Sequence, residues 1–352
     1  MDKRIRKILA DLDQQIKEVK GQGQVIDALI GHGQKAVLLG SQKRWAASAR
    51  EYGLAAQLAA QASDVATEAL ARYGQGMALF NLPDRRRETI QVFIQSLELA
   101  EQIGHYTLIA KIHFILASFR LDAGDFPGFM TQMSQAIEQL DEEAEAELAA
   151  RLYQTKASVH LLLAELDQAQ ANLERAAIAA QRTGNRDIIL AVQLDQQVLR
   201  GFSITEGTTN TPDLFDALLA QAEQTGNKQI MGDAKIHKTI ALLRSGQFQK
   251  ALKLAQEVRQ AALASTDYLC YMRYLIACLL MADAQEHLDD RVGVLATLLT
   301  CKKSLEGALG KDIGKLITPF LDALHYRWGA EPLQDVLRQY QSHMAQQGLD
   351  TT

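Results

Sequence analysis

The chain is poor in the residues that mark most other classes of protein. It has 3 cysteines in 352 residues, an odd number that cannot build a framework of paired disulfides, so a reducing cytoplasmic setting is expected. Its 5 prolines leave room for many uninterrupted helices. Aromatics make up only 6% of a composition that is 47% hydrophobic, so the apolar content leans on Ala, Leu and Ile, as helix-on-helix packing prefers. The longest apolar stretches, such as Leu275 to Ala282, fall far short of the roughly 20 residues needed to span a bilayer. The first 20 residues carry scattered charges and no apolar signal core, so no membrane partner is expected. A net charge of −5 with pI near 5.9 provides no global field for nucleic acid or anionic lipid.

Signatures of chemistry are missing too. There is no Gly-x-Ser-x-Gly elbow, no His-Glu-x-x-His and no Cys-x-x-Cys. The nearest approach to a phosphate loop, Gly310-Lys311-Asp312-Ile313-Gly314-Lys315, is one residue short. Leu316 stands where Ser or Thr is needed, and no strand precedes it. The histidines are spread singly, at positions such as His113, His160 and His237. Cys270 and Cys278 lie two turns apart on one helix, with His287 next and Cys301 on the following helix. Helix packing can gather two of these, short of the three or four ligands zinc requires, and buried apolar thiols are the expected outcome. No catalytic residue, metal or cofactor is therefore expected.

What the chain does have is repetition. Three helical runs end in nearly the same way: Glu101-Gln102-Ile103-Gly104-His105, Gln181-Arg182-Thr183-Gly184-Asn185 and Glu223-Gln224-Thr225-Gly226-Asn227. Glycine after the last apolar position accepts the left-handed conformation that closes a helix. A second signal marks a helix that breaks and restarts: Leu121-Asp122-Ala123-Gly124-Asp125-Phe126, Leu163-Ala164-Glu165-Leu166 and Ser245-Gly246-Gln247-Phe248. Ala117, Ala157 and Thr239 precede these breaks, and Phe129, Ala169 and Ala251 follow where a second helix packs back. The spacing resembles the tetratricopeptide motif, two antiparallel helices per unit. Anchors near Gly33, Gly76, Ala117, Ala157, Val198, Thr239, Ala282 and Ala323 set a period of about 41, longer than the 34-residue form. That longer form is similar to the helical arrays of kinesin light chains and some bacterial transcription regulators.

The resemblance implies an all-α fold, a right-handed superhelical solenoid of antiparallel helix pairs. Residues 1–20 are expected to form a capping helix, with Ile5, Ile8, Leu9, Leu12, Ile16 and Val19 on one face. Residues 21–347 hold about eight pairs and 348–352 a disordered tail. Pro83, Pro127, Pro212 and Pro332 fall at junctions within pairs, while Pro319 is expected to kink or start a helix. Residues 204–210 read as a loop, with Thr211 capping the helix after it.

In such an array the first helix of each pair lines the concave groove. The inward positions then hold Tyr73, Met77, Phe80 and Asn81, then Lys111, Phe114 and Ser118, then Arg151, Gln154 and Ser158, then Asp195 and Gln196. This mixture suits a peptide: Tyr73 and Phe114 for burial, Asn81 and Gln154 for its backbone, Lys111 and Arg151 for a carboxylate. Core packing competes for Phe80 and Phe114. The pair at Thr239 offers mainly Ile236, Ile240 and Leu243, so the central pairs form the expected binding surface.

Three charge or aromatic groups stand outside this frame. Arg85, Arg86 and Arg87 begin a helix, where the dipole disfavours cations, and are expected to be unpaired and available to a partner. The acids between Asp141 and Glu147 sit at a helix start and read as a solvated cap. Tyr268, Tyr271 and Tyr274 wind around a helix, so at least one, with Tyr271 central, should meet a partner. The function expected is a non-catalytic protein- or peptide-binding scaffold, with no direct nucleic-acid partner and room for a homo-oligomer. The alternative is a regulatory sensor whose solenoid closes on a signalling peptide or small ligand.

Overall fold

The computed structural model describes residues 3–203, 212–264 and 268–346. The expected loop at 204–210, the Thr211 cap and the tail 348–352 lie outside the described residues, as does the side chain of Tyr268. Among the described residues there are seventeen α-helices and no strand. In order they are α1 (Lys3–Gly21), α2 (Val25–Ser41), α3 (Trp45–Gln61), α4 (Val65–Phe80), α5 (Arg86–Gln102) and α6 (Tyr106–Asp122). Next come α7 (Phe126–Glu138), α8 (Ala146–Leu162), α9 (Leu166–Thr183), α10 (Arg186–Ser203), α11 (Asp216–Thr225) and α12 (Lys228–Arg244). The last are α13 (Phe248–Leu263), α14 (Tyr268–His287), α15 (Arg291–Leu309), α16 (Thr318–Trp328) and α17 (Ala330–Gln346). Successive helices pack on their neighbours in sequence from α1 to α7 and again from α9 to α17, in a tetratricopeptide-like arrangement.

One turn makes most of the hairpins. The chain leaves a helix through a residue at positive φ, and the next amide donates back to the carbonyl five residues earlier to close the helix end. Asp125 N–H reaches the Arg120 carbonyl, Glu165 that of His160, Gln247 that of Leu242 and Asp290 that of Gln285, each at 2.9 Å. The following helix starts at once, because this same residue often caps it. Asp64, Asp125, Asn227 and Asp290 accept from the amides of Thr67, Gly128, Ile230 and Gly293. Gly184 and Gly226 close α9 and α11 in the left-handed conformation. Prolines sit where a missing N–H costs nothing. Pro127 and Pro319 lie in the first turns of α7 and α16, and Pro83 opens a 3-10 turn ahead of α5.

The chain divides into two compact units, Met1–Lys156 and Ala157–Thr352, with the boundary inside α8. Unit 1 packs small residues against large ones. A Cβ on Gly76 would lie 2.7 Å from the Phe93 ring, and one on Gly74 2.7 Å from Tyr52, so these glycines bring α4 onto α5 and α3. Phe93 is fully buried among Ala69, Ala100, Leu108, Ile109 and Ile112. The amphipathic α1 docks on α2 through Leu9 and Ile16, where a Cβ on Gly31 would meet Ile16 at 2.6 Å.

A polar knot joins the first three helices. Buried Glu51 of α3 holds His32 Nδ1 at 2.7 Å and Lys35 Nζ at 2.8 Å, and Lys35 also reaches Asp13 of α1. Burial alone would raise the Glu51 carboxyl, but the hydrogen bonds from Lys35 and His32 prevail and hold it low.

Unit 2 has its largest core among α14–α17, built on Leu275, Cys278, Leu295, Leu298, Cys301, Leu305, Ile317, Leu324 and Val336. The outward side of α17 is polar, with Glu331, Gln334, Asp335, Arg338 and Gln339 exposed.

Candidate functional site

The first helices of unit 1 present equivalent positions one repeat apart. Counted from the anchors, Leu70 of α4 corresponds to Lys111 of α6 and Arg151 of α8, Tyr73 to Phe114 and Gln154, and Met77 to Ser118. The rows are laid out by the buried sides of these helices. Ala69, Gly76 and Leu79 of α4 and Ala110, Ile112 and Ala117 of α6 face the interior, which turns Leu70, Tyr73 and Met77, and Lys111, Phe114 and Ser118, outward.

Contacts tie the rows together. The Phe80 and Phe119 rings meet edge to face at 5.4 Å and hold α4 beside α6. Thr107 donates to Glu145 at 3.1 Å, which anchors the start of α6 to the approach to α8. Lys111 lies one turn beyond Thr107 on α6, and Arg151 follows on α8, six residues beyond Glu145.

The six expected groove residues differ in how much of each side chain is left for a ligand. Lys111 is half-buried and has no ion-pair partner among the described residues. Phe114 and Gln154 are half-buried in the neighbouring row. Tyr73 is half-buried, packs edge-on to Phe93 at 6.0 Å and belongs in part to the core; burial pushes its hydroxyl up. Asn81 is exposed, but its amide donates to the Met77 carbonyl at 3.0 Å and closes α4. Arg151 pairs with Glu147 one turn back at 2.8 Å, with both side chains more than half exposed. Such a pair contributes little to stability.

The arginine run needs correcting. Arg85 pairs with Glu88, and Arg86 donates to the Phe119 carbonyl at 2.7 Å, lies over the Phe119 ring and approaches Asp122 at 3.5 Å. Arg86 thus satisfies a carbonyl in the last turn of α6, where a cation favours the helix dipole, and the expected absence of ion pairs fails for both residues. Arg87 alone is exposed without a pair among the described residues.

The acids around 141–147 do more than solvate a helix start. Asp141 accepts from the amides of Glu143 and Ala144, and Glu142 accepts from Tyr153 at 2.5 Å. In unit 2, Tyr271 is half-buried against the α14–α17 core and Tyr274 is buried within it.

Beside the expected Met77, further apolar side chains of α2 and α4 are exposed. Ile26, Ile30 and Val37 of α2 are 66%, 49% and 61% exposed, and Leu70 and Met77 of α4 are 49% and 39% exposed. The sign was present in α2. Its segment Val25 to Leu39 is apolar on nearly every side, and a helix of that kind that is not covered all round leaves an apolar face in solvent.

The clefts of unit 2 are small and open. One of about 450 Å³ lies among Gln170, Glu174, Gln196 and Arg200, and one of about 250 Å³ among Asp283, Glu286, Phe320 and Arg327. No helix among the described residues is long and apolar enough to cross a membrane.

These features define the class: a tetratricopeptide-like array of helix pairs with an accessible face on the first helices of its N-terminal unit. No family model matches the chain, and no curated protein matches it. Among solved structures the chain is similar to the P58(IPK) TPR domain, at 10% identity over 90% of this chain and 98% of that one, with a TM-score of 0.29.

Proposed function

We propose that the protein is a non-catalytic scaffold that binds a protein or peptide across the outward face of α2, α4, α6 and the start of α8. The observation that carries this reading is the pairing of exposed apolar side chains with an unpaired, half-buried cation at equivalent positions. Leu70 and Lys111 occupy the same place in successive repeats, with Tyr73 and Phe114 beside them. A half-buried ammonium without a counter-ion loses solvation and gains nothing in return, unless a partner brings a carboxylate or carbonyl to it. Exposed Ile30, Val37 and Met77 supply the apolar area that such a partner covers.

Of the two expected cations, Lys111 is the one that faces the ligand. Arg151 already has Glu147. Tyr73, Phe114 and Gln154 line the contact, and Asn81 marks its edge. The setting proposed is cytoplasmic, in line with the three free cysteines.

The test is affinity capture from a lysate with wild-type protein and with the double variant Leu70→Glu, Met77→Glu, both checked for helicity. The partner captured by the wild type should be lost from the variant. Undiminished capture would place binding on another face.

A further inference from the structure

The cleft of about 250 Å³ in unit 2 combines three features that suit one kind of ligand. Its floor is apolar: Ala282, Val294 and Leu298 are buried there, with Leu279 half-buried beside them. One wall is the Phe320 ring of α16, 42% exposed. The rim carries Asp283 and Glu286, one turn apart on α14. Pockets that take whole small molecules run from about 300 to 1,000 Å³, so this one is on the scale of a single side chain.

The two carboxylates are not equally occupied. Glu286 accepts from the Arg327 guanidinium and from the Trp328 indole N–H, the latter at 3.1 Å. Arg327 also lines the cleft, and this pairing neutralises it there. Asp283 has only His287, one turn along the same helix, at 3.8 Å, and that imidazole carries charge only when protonated. The His287 ring is itself stacked on Phe248 of α13, with centroids 4.3 Å apart. The cleft therefore keeps one uncompensated negative charge, beside an aromatic ring and above an apolar floor. A cation is drawn by the carboxylate and by the ring face alike.

We propose that this cleft is a binding site for a lysine side chain of a partner peptide. The four-carbon stem lies along Leu279, Ala282 and Leu298. The ammonium stays at the rim, where it donates to Asp283 and meets the Phe320 ring, as lysine does when its stem covers apolar surface. Asp283 is 53% exposed, so the charged end keeps part of its hydration and the site needs no buried ion pair. The site lies wholly within unit 2 and shares no residue with the outward face of unit 1.

The experiment titrates the full chain with two acetylated, amidated tripeptides, Gly-Lys-Gly and Gly-norleucine-Gly, and follows the Trp328 indole N–H resonance. Norleucine has the same four carbons as lysine without the ammonium. The protein has 2 tryptophans, and the Trp45→Phe variant tells their resonances apart. The lysine peptide should shift the Trp328 resonance to saturation. It should bind about tenfold tighter than the norleucine peptide, the combined effect of a half-exposed ion pair and a cation–π contact. Asp283→Asn should weaken the lysine peptide about fivefold and leave the norleucine peptide unchanged. Asp213→Asn, which removes the same charge from an exposed position outside the cleft, should weaken neither. Phe320→Ala should weaken both. A Trp328 resonance that the lysine peptide does not move, equal binding of the two peptides, or undiminished binding to the Asp283→Asn protein overturns the proposal.

Discussion

The two units use their first helices differently. In unit 2, polar groups one repeat apart are spent on each other. Asp187 of α10 accepts from Asn227 at the head of α12 at 2.8 Å, and Asp233 of α12 holds Arg273 of α14 in a two-pronged pair at 2.7 and 3.0 Å. Glu286 of α14 takes both Arg327 and the Trp328 indole N–H of α16. In unit 1 the corresponding ties are neutral or nearly so: the Phe80–Phe119 ring contact and the Thr107–Glu145 hydrogen bond. Lys111 and the apolar row of α2 and α4 stay uncommitted. One architecture can therefore assign the same helix position to internal locking or to a partner, and the side chain decides which.

The largest effect that would sharpen this contrast lies within α4 and α5. Phe93→Ala empties a fully buried site beneath Gly76 and Tyr73 and should cost unit 1 about 3–5 kcal/mol in urea unfolding. The double change Leu70→Glu, Met77→Glu on the opposite side of α4 should cost less than about 1 kcal/mol, since neither side chain is buried. Comparable losses from the two would mean that the outward row is structural.

Next comes the lock of unit 2. Asp233→Ala leaves Arg273, a mostly buried side chain, without its carboxylate, and should cost about 2 kcal/mol. Arg273 is held above even its usual range by that hydrogen bond first, with burial opposing. The matched change in unit 1, Lys111→Ala, should leave the melting temperature unchanged or raise it. If Lys111→Ala destabilises as much as Asp233→Ala, the lysine has a structural partner and the contrast between the units disappears.

Binding gives a smaller but more direct readout. Lys111→Ala should weaken the captured partner about tenfold, the loss of about 1.4 kcal/mol expected of one charge-assisted hydrogen bond. Arg151→Ala should change affinity less than threefold, because its exposed pair with Glu147 is worth little and competes with any ligand. An equal loss from both changes, measured by titration of the purified partner, would restore a shared two-cation clamp.

Much of this was legible because local rules and packing agree. Gly104, Gly124, Gly184, Gly226 and Gly246 all take positive φ, and glycine at a helix end is the plainest sign of such a turn. The turns at Lys43, Ser63 and Asp289 have the same geometry without glycine, so the sequence around them carries no comparable mark. The role of Arg86 was out of reach for a different reason. Its acceptor, the Phe119 carbonyl, is 33 residues away, and only the packing of α5 against α6 brings them together. The exposed rows of α2 and α4 were half legible. Spacing located Tyr73 and Met77, but an apolar residue such as Leu70 reads equally as core until the buried side is known.

The smallest predicted effect compares one turn in the two units. Gly124 closes α6 in unit 1 at φ 72°, and Ala164 closes α8 in unit 2 at φ 59°, with the same backward hydrogen bond at 2.9 Å after each. An L-residue with a Cβ pays roughly 1–2 kcal/mol for this conformation, and glycine does not. Glycine in turn loses about 0.4–1 kcal/mol more conformational freedom on folding than alanine. The steric term is the larger, so Ala164→Gly should stabilise unit 2 by about 0.5–1 kcal/mol, and Gly124→Ala should destabilise unit 1 by a similar amount. Space does not interfere, since a Cβ on Gly124 would meet nothing within 4 Å and Ala164 is exposed. The sign is therefore set by the backbone alone. Urea titration of both variants, read as a shift in midpoint at constant slope, checks it. If Ala164→Gly lowers the midpoint, the turn after α8 does not hold the left-handed conformation in solution, and the hairpin rule that unites the two units fails at their boundary helix.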